Sequence, residues 1–151
     1  MAAVAGLFAR ETGKILLQNF SLRELIVENG GDIFAMIDKE LVLSIFAGES
    51  PLSGKVGLII PAGTGKIGIC TSSGTVGPSL SFGKADAVSV VSRDVLLADA
   101  FATALCNRVK VPDDIEKVLE VSKSYPEIIS VIIICKDKIG VQGKYKIKML
   151  K

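Results

Sequence analysis

Apolar and polar positions divide the chain into a long helix, several short strands, two further helices and a β-branched finish. Over residues 1–20, Met1, Val4, Ala5, Phe8, Ile15 and Leu16, with Asn19, trace most of one helical face, interrupted at Glu11 and Thr12. Ala2, Ala3 and Ala5 raise helix propensity. No capping residue precedes this helix, and its apolar positions begin at once. Two readings stay open: a helix fraying at a free terminus, or the later part of a larger folding unit. Leu22 to Val27 predicts a strand, followed by Asn29-Gly30-Gly31-Asp32, whose glycines allow positive φ. Asp32 to Ile37 and Leu41 to Ala47 predict two strands around a turn at Asp38-Lys39. Gly48 to Gly54, with Pro51, predicts a loop. Val56 to Ile60 and Ile67 to Thr71 predict a hairpin across Pro61 to Lys66.

In the second half, Val88 to Ser92 predicts a strand. Ser92 or Asp94 can cap the helix that follows, to about Arg108, and Arg108 and Lys110 suit its negative end. Pro112 and Asp113 open another helix, which Pro126 ends. Ile128 to Cys135 reads as a strand buried on both faces. Lys138 to Val141 is a short strand. From Lys144 to Met149 the residues alternate, with Lys144, Lys146 and Lys148 on one side and Tyr145, Ile147 and Met149 on the other. Lysines in this pattern protect an exposed sheet edge. Helices towards both ends of a strand-rich chain predict an α+β fold: a mostly antiparallel or mixed sheet packed with two to three helices.

Composition narrows the classes. At 151 residues the expectation is a single domain, residues 1–151, and 49% hydrophobic residues suffice for a core. Aromatics are only 5%, so that core must be mostly Val, Ile, Leu and Ala. A formal net charge of +2 implies neither a nucleic-acid nor a membrane partner. The apolar start lacks a cationic leader, and Arg10 and Glu11 interrupt it, so a soluble cytoplasmic protein is expected. Cys70, Cys106 and Cys135 are odd in number and far apart, which predicts buried free thiols. The chain has no histidine. That removes Ser-His-Asp and Cys-His nucleophile activation and imidazole metal sites.

Candidate chemistry concentrates between Gly68 and Asn107. Thr71-Ser72-Ser73-Gly74-Thr75 forms a hydroxyl and glycine loop that could offer backbone N–H groups to an anion. Asp99 and Thr103 stand four apart on a predicted helix, so a carboxylate and a hydroxyl face the same way. Such hard oxygens suit Mg²⁺. On spacing alone, the competing reading is a helix face on which both groups bond locally. Lys84 and Asp86 are either a phosphate-gripping lysine with a metal-assisting aspartate, or an ordinary ion pair. Asp32 is a further candidate for the same cleft. Gly65-Lys66 tempts a phosphate-loop reading, but Ile60 and Ile67 replace the required Gly and Ser or Thr.

Several segments in order resemble the ApbE-like superfamily of FAD:protein FMN transferases, more closely its short, poorly characterised branch. They are Met1 to Gly6, Asn29-Gly30-Gly31-Asp32-Ile33, Thr71-Ser72-Ser73-Gly74, Gly83 to Val91, and Ala98 to Leu105 with its Asp99-Ala100-Phe101-Ala102-Thr103. The resemblance implies an ApbE-like fold, Mg²⁺ held by Asp99 and Thr103, and a small phosphate-bearing ligand such as FAD or another flavin nucleotide. It assigns no catalytic residue. The transferases' His-Ile-Ile-Asp-Pro segment is replaced here by Pro78 to Asp86, and the family is considerably longer. Enzyme activity is therefore left open. The alternative is a non-catalytic module that forms homo-oligomers through an apolar helix face centred on Val4, Phe8 and Ile15.

Overall fold

A computed structural model describes residues 3–76 and 82–151. The helices are α1 (Val4–Asn19), α2 (Val95–Cys106) and α3 (Asp114–Ser122). The strands are β1 (Leu25–Asn29), β2 (Asp32–Ile37), β3 (Leu41–Ser44), β4 (Val56–Ile60), β5 (Gly65–Ser72), β6 (Ala87–Ser92), β7 (Ile128–Cys135), β8 (Lys138–Gly143) and β9 (Ile147–Met149). A six-stranded sheet runs β1-β2-β5-β6-β7-β8, and a three-stranded sheet runs β3-β4-β9. Every pairing in both is antiparallel. This is the α+β architecture that the alternation of periods predicts.

The large sheet is the middle of three layers, and the two-residue period of its strands decides what each face meets. Ile33, Ala35, Ile37, Ile67, Ile69, Ile132 and Ile134 pack against Val56, Leu58 and Ile60 of the small sheet. The intervening Phe34, Cys70, Val88, Val90, Val131 and Ile133 pack against Ala98, Ala102 and Leu105 of α2 and Ile115 and Val118 of α3. Double-sided burial explains why β6 and β7 read as near-continuous apolar runs.

Two turns take an unpredicted course. β4 and β5 are not a hairpin: β4 pairs with β3, and β5 pairs with β2 and β6. Nor do β2 and β3 pair around Asp38-Lys39. Both connections carry the chain from one sheet to the other, because β2 and β5 need an apolar cover that neither can give its sequence neighbour. Gly63 N–H donates to Asp38 O at 2.9 Å, tying the two corners together. β9 lies at the edge of the small sheet, as its lysine alternation predicts.

The first helix leaves its apolar face uncovered, the condition that the oligomer alternative needs. Its buried residues are Gly6, Ala9 and Gly13, while Val4, Phe8 and Ile15 are 42%, 63% and 58% exposed. Close packing selects the small face: a Cβ on Gly13 would overlap the Phe34 ring, and one on Gly6 would sit 3.1 Å from Asp99 Oδ2. Glycine here grants proximity to the neighbouring elements, at the cost of helix propensity.

Candidate functional site

Asp94 caps α2 by accepting from Leu96 N–H at 2.8 Å, and Asp99 falls on the buried face of that helix. Asp99 is 9% exposed and Thr103 half-buried, and both line a cavity of about 520 Å³. The opposite wall comes from the β1–β2 hairpin. Asn29 pairs with Asp32 across Gly30 and Gly31, whose φ values of 61° and 95° fit the two-residue turn of a tight hairpin. That turn places Asp32 at the start of β2, 7% exposed and also on the cavity. Thr71, Ser72 and Ser73 complete the polar wall. Leu43, Ile45 and Phe46, at and beyond the end of β3, form an apolar rim on which Phe46 is 68% exposed.

Asp99 and Asp32 meet at the start of α1. Gly6 N–H, one of the helix's unpaired first-turn donors, donates to Asp99 Oδ2 at 3.3 Å. A carboxylate at this positive helix end is favourable. Asp32 lines the same cavity, close enough to feel the charge of Asp99. Burial, then the negative charge of Asp99, pushes the Asp32 carboxyl up to about 7. Burial and the neighbouring Asp32 also drive the Cys70 thiol far above the ordinary thiol range, so this cysteine is a packing residue. All three cysteines are free and buried.

The structure brings together only part of the predicted set. Asp99, Thr103, Thr71, Ser72 and Ser73 share the cavity, and Asp32 joins them. Gly74, Thr75, Lys84 and Asp86 do not line it. Three N–H groups here are also spent. Gly74 N–H donates to Ala85 O at 2.8 Å, while Thr75 and Val76 N–H both donate to Ser73 Oγ, at 3.1 and 2.9 Å. The expected anion-cradling amides of Gly74 and Thr75 are therefore already bonded within the protein. Asp86 accepts from Thr75 Oγ1 at 2.8 Å and from Lys136 N–H at 2.6 Å, so its carboxylate pins two loops. It does not pair with Lys84, which is exposed and whose backbone N–H donates to Val109 O. Of the Pro78 to Asp86 segment that the resemblance sets against the transferases' histidine motif, Pro78 to Ser81 lie outside the described residues.

Asp32, a further candidate from its sequence position, joins the site, whereas nothing in the sequence marks Gly6 or Phe46 as part of it. The signal for Asp32 was its place directly after a Gly-Gly turn, where a tight hairpin ends and a buried strand begins.

The three-layer arrangement and the cavity between hairpin and helix define an ApbE-like α+β protein. The chain is similar in fold to the flavinyl transferase ApbE of Pseudomonas stutzeri in its apo form, with a TM-score of 0.60 and 18% identity over 93% of this chain and 46% of that one. The flavin transferase ApbE of Vibrio cholerae gives a TM-score of 0.59 and 18% identity over 91% of this chain and 47% of that one. The chain belongs to the family described as AbpE bacteria, which matches residues 1–137. Among curated relatives, a UPF0280 protein of Methanocaldococcus jannaschii is 40% identical over 149 residues, 95% of this chain and 59% of the relative. A UPF0280 protein of Methanosphaerula palustris is 50% identical over 110 residues, 73% of this chain and 46% of the relative. The chain thus spans about half the length of the relatives it matches.

Proposed function

We propose that this protein binds a phosphate-bearing ligand of the flavin-nucleotide class through a divalent cation, Mg²⁺ by preference, held at Asp99 and Thr103. The observation that carries this reading is the charge of the cavity wall. Among the described residues it presents Glu28, Asp32 and Asp99 together with hydroxyl oxygens, and no lysine or arginine. An anionic ligand entering such a wall meets repulsion from carboxylates that burial leaves poorly screened. Hard oxygens with unbalanced negative charge fit Mg²⁺, which takes one or two carboxylates alongside phosphate oxygens. When bound, that ion supplies charge neutralisation to a phosphate or pyrophosphate group. The chain's own residues do the rest. Gly6 N–H orients the Asp99 carboxylate, the Gly30-Gly31 turn keeps the opposite wall thin, and Leu43, Ile45 and Phe46 offer an apolar surface to a flat ring. The names of the solved relatives, both flavin transferases, favour FAD as the first ligand to try.

The test is thermal unfolding with and without millimolar Mg²⁺ and FAD. Wild type is expected to gain stability only when both are present or when Mg²⁺ is present, and Asp99→Ala to lose that gain while Asp94→Ala keeps it. No shift in wild type at saturating Mg²⁺ and FAD would end the reading.

A second reading has its own observation. Val4, Leu7, Phe8 and Ile15 form an exposed apolar band along α1. A non-catalytic module that self-associates through this band would bury it. Light scattering decides: a monomer at working concentration removes this alternative, and an oligomer dispersed by Phe8→Lys supports it.

A further inference from the structure

The ion seat proposed above names one carboxylate, yet two meet there. Asp32 and Asp99 come from different layers, one from the large sheet and one from α2. They are 7% and 9% exposed and line the same cavity. Among the described residues neither is in an ion pair. The first turn of α1 contributes Gly6 N–H, while the weakly donating Cys70 thiol is spent on Val95 O at 3.4 Å. Both residues line the cavity, so their carboxylates border open space. Thr103 stands one turn beyond Asp99 on the same wall. Two like charges buried together are repulsive unless a proton or a cation lies between them.

Resting on the ion site at Asp99 and Thr103, we propose that Asp32 is its second carboxylate ligand, so that the protein alone holds the divalent ion before any phosphate arrives. With Asp99 alone, an ion of charge +2 would keep an excess positive charge and lean on ligand phosphate to stay bound. With Asp32 as well, the seat is neutral and self-sufficient. The order of events is then ion first and phosphate-bearing ligand second, and the ion is part of the resting protein.

The experiment is Mn²⁺ binding to the full 151-residue chain, read by electron paramagnetic resonance of free Mn²⁺, with and without FAD. Wild type is expected to bind one Mn²⁺ with no nucleotide present. Asp32→Asn, isosteric and neutral, is expected to bind Mn²⁺ at least about tenfold more weakly without FAD, and to recover part of that affinity when FAD is added. Its thermal midpoint in EDTA should equal or exceed that of wild type, because a repulsion has been removed. Wild type that holds Mn²⁺ only with FAD overturns the inference and leaves the ion at Asp99. Asp32→Asn with wild-type Mn²⁺ affinity overturns it too, as does an Asp32→Asn that unfolds earlier in EDTA, since that marks a purely structural carboxylate. Wild type that takes up no Mn²⁺ under either condition overturns the function proposed above as well.

Discussion

Asp86 and Asp99 are buried to the same degree, 8% and 9% exposed, and lie on the strand side and helix side of one continuous run of chain. Their surroundings differ in donors. Asp86 receives a threonine hydroxyl and a backbone N–H at 2.8 and 2.6 Å, the second from Lys136, whose φ of 57° marks a tight turn. Asp99 receives one N–H at 3.3 Å, faces another carboxylate, and opens on a cavity. A buried carboxylate supplied with donors holds structure together. One left short of donors beside a like charge is a place for something else to bind. Burial alone does not separate these cases; the count of donors does.

That contrast can be broken by experiment, starting where the effect is largest. Asp86→Ala strands the Lys136 N–H and the Thr75 hydroxyl and should cost about 3 kcal/mol in urea unfolding. Asp99→Asn should be near neutral in metal-free buffer, and a comparable loss there would erase the distinction. Thr75→Val removes one of the two donors to Asp86 and should cost about 1.5 kcal/mol, with no effect on Mg²⁺-dependent stabilisation.

The third effect is a pH dependence in EDTA. The Asp32 carboxyl sits at about 7 in the folded chain against its ordinary 3.8. Between those values the folded state holds a proton that the unfolded state has released. Stability should therefore fall as pH rises through this window, by at most about 1.4 kcal/mol per pH unit. Asp32→Asn should remove that slope; an unchanged slope would show that another group carries it. The smallest effect is expected from Asp94→Ala, which loses the α2 cap and should cost about 1 kcal/mol while leaving Mn²⁺ binding intact.

Much of the fold was legible from side-chain period. The strands at Asp32–Ile37 and Val56–Ile60, and the helix beginning at Val95, stand where the pattern puts them. Pairing was less legible. The turn after Asp38 and the turn after Pro61 look like hairpin turns by composition, yet both are corners between sheets, because a turn's residues do not record which layer the next strand must cover. The exposed apolar face of α1, centred on Val4, Phe8 and Ile15, was legible; its packing face was not, because the approach to Phe34 and Asp99 admits only Gly6, Ala9 and Gly13. In the cavity, Asp99 and Thr103 could be paired from their spacing. Lys84 and Asp86 could not be sorted from them, since all four lie near one loop in sequence and only their contacts separate them.

What the sequence determined by itself is local: the periods that make helices and strands, the lack of histidine that removes whole classes of chemistry, and the one-turn spacing of a carboxylate and a hydroxyl. The tertiary structure decided which distant groups meet. Asp32 and Gly6 reach Asp99 from elements far away in the chain, and the amides of Gly74 and Thr75 are taken up by Ala85 O and Ser73 Oγ. The reason is physical. Period and propensity act over a few residues, whereas the electrostatics of a buried carboxylate depend on every donor and charge within a few ångströms, whatever its place in the chain.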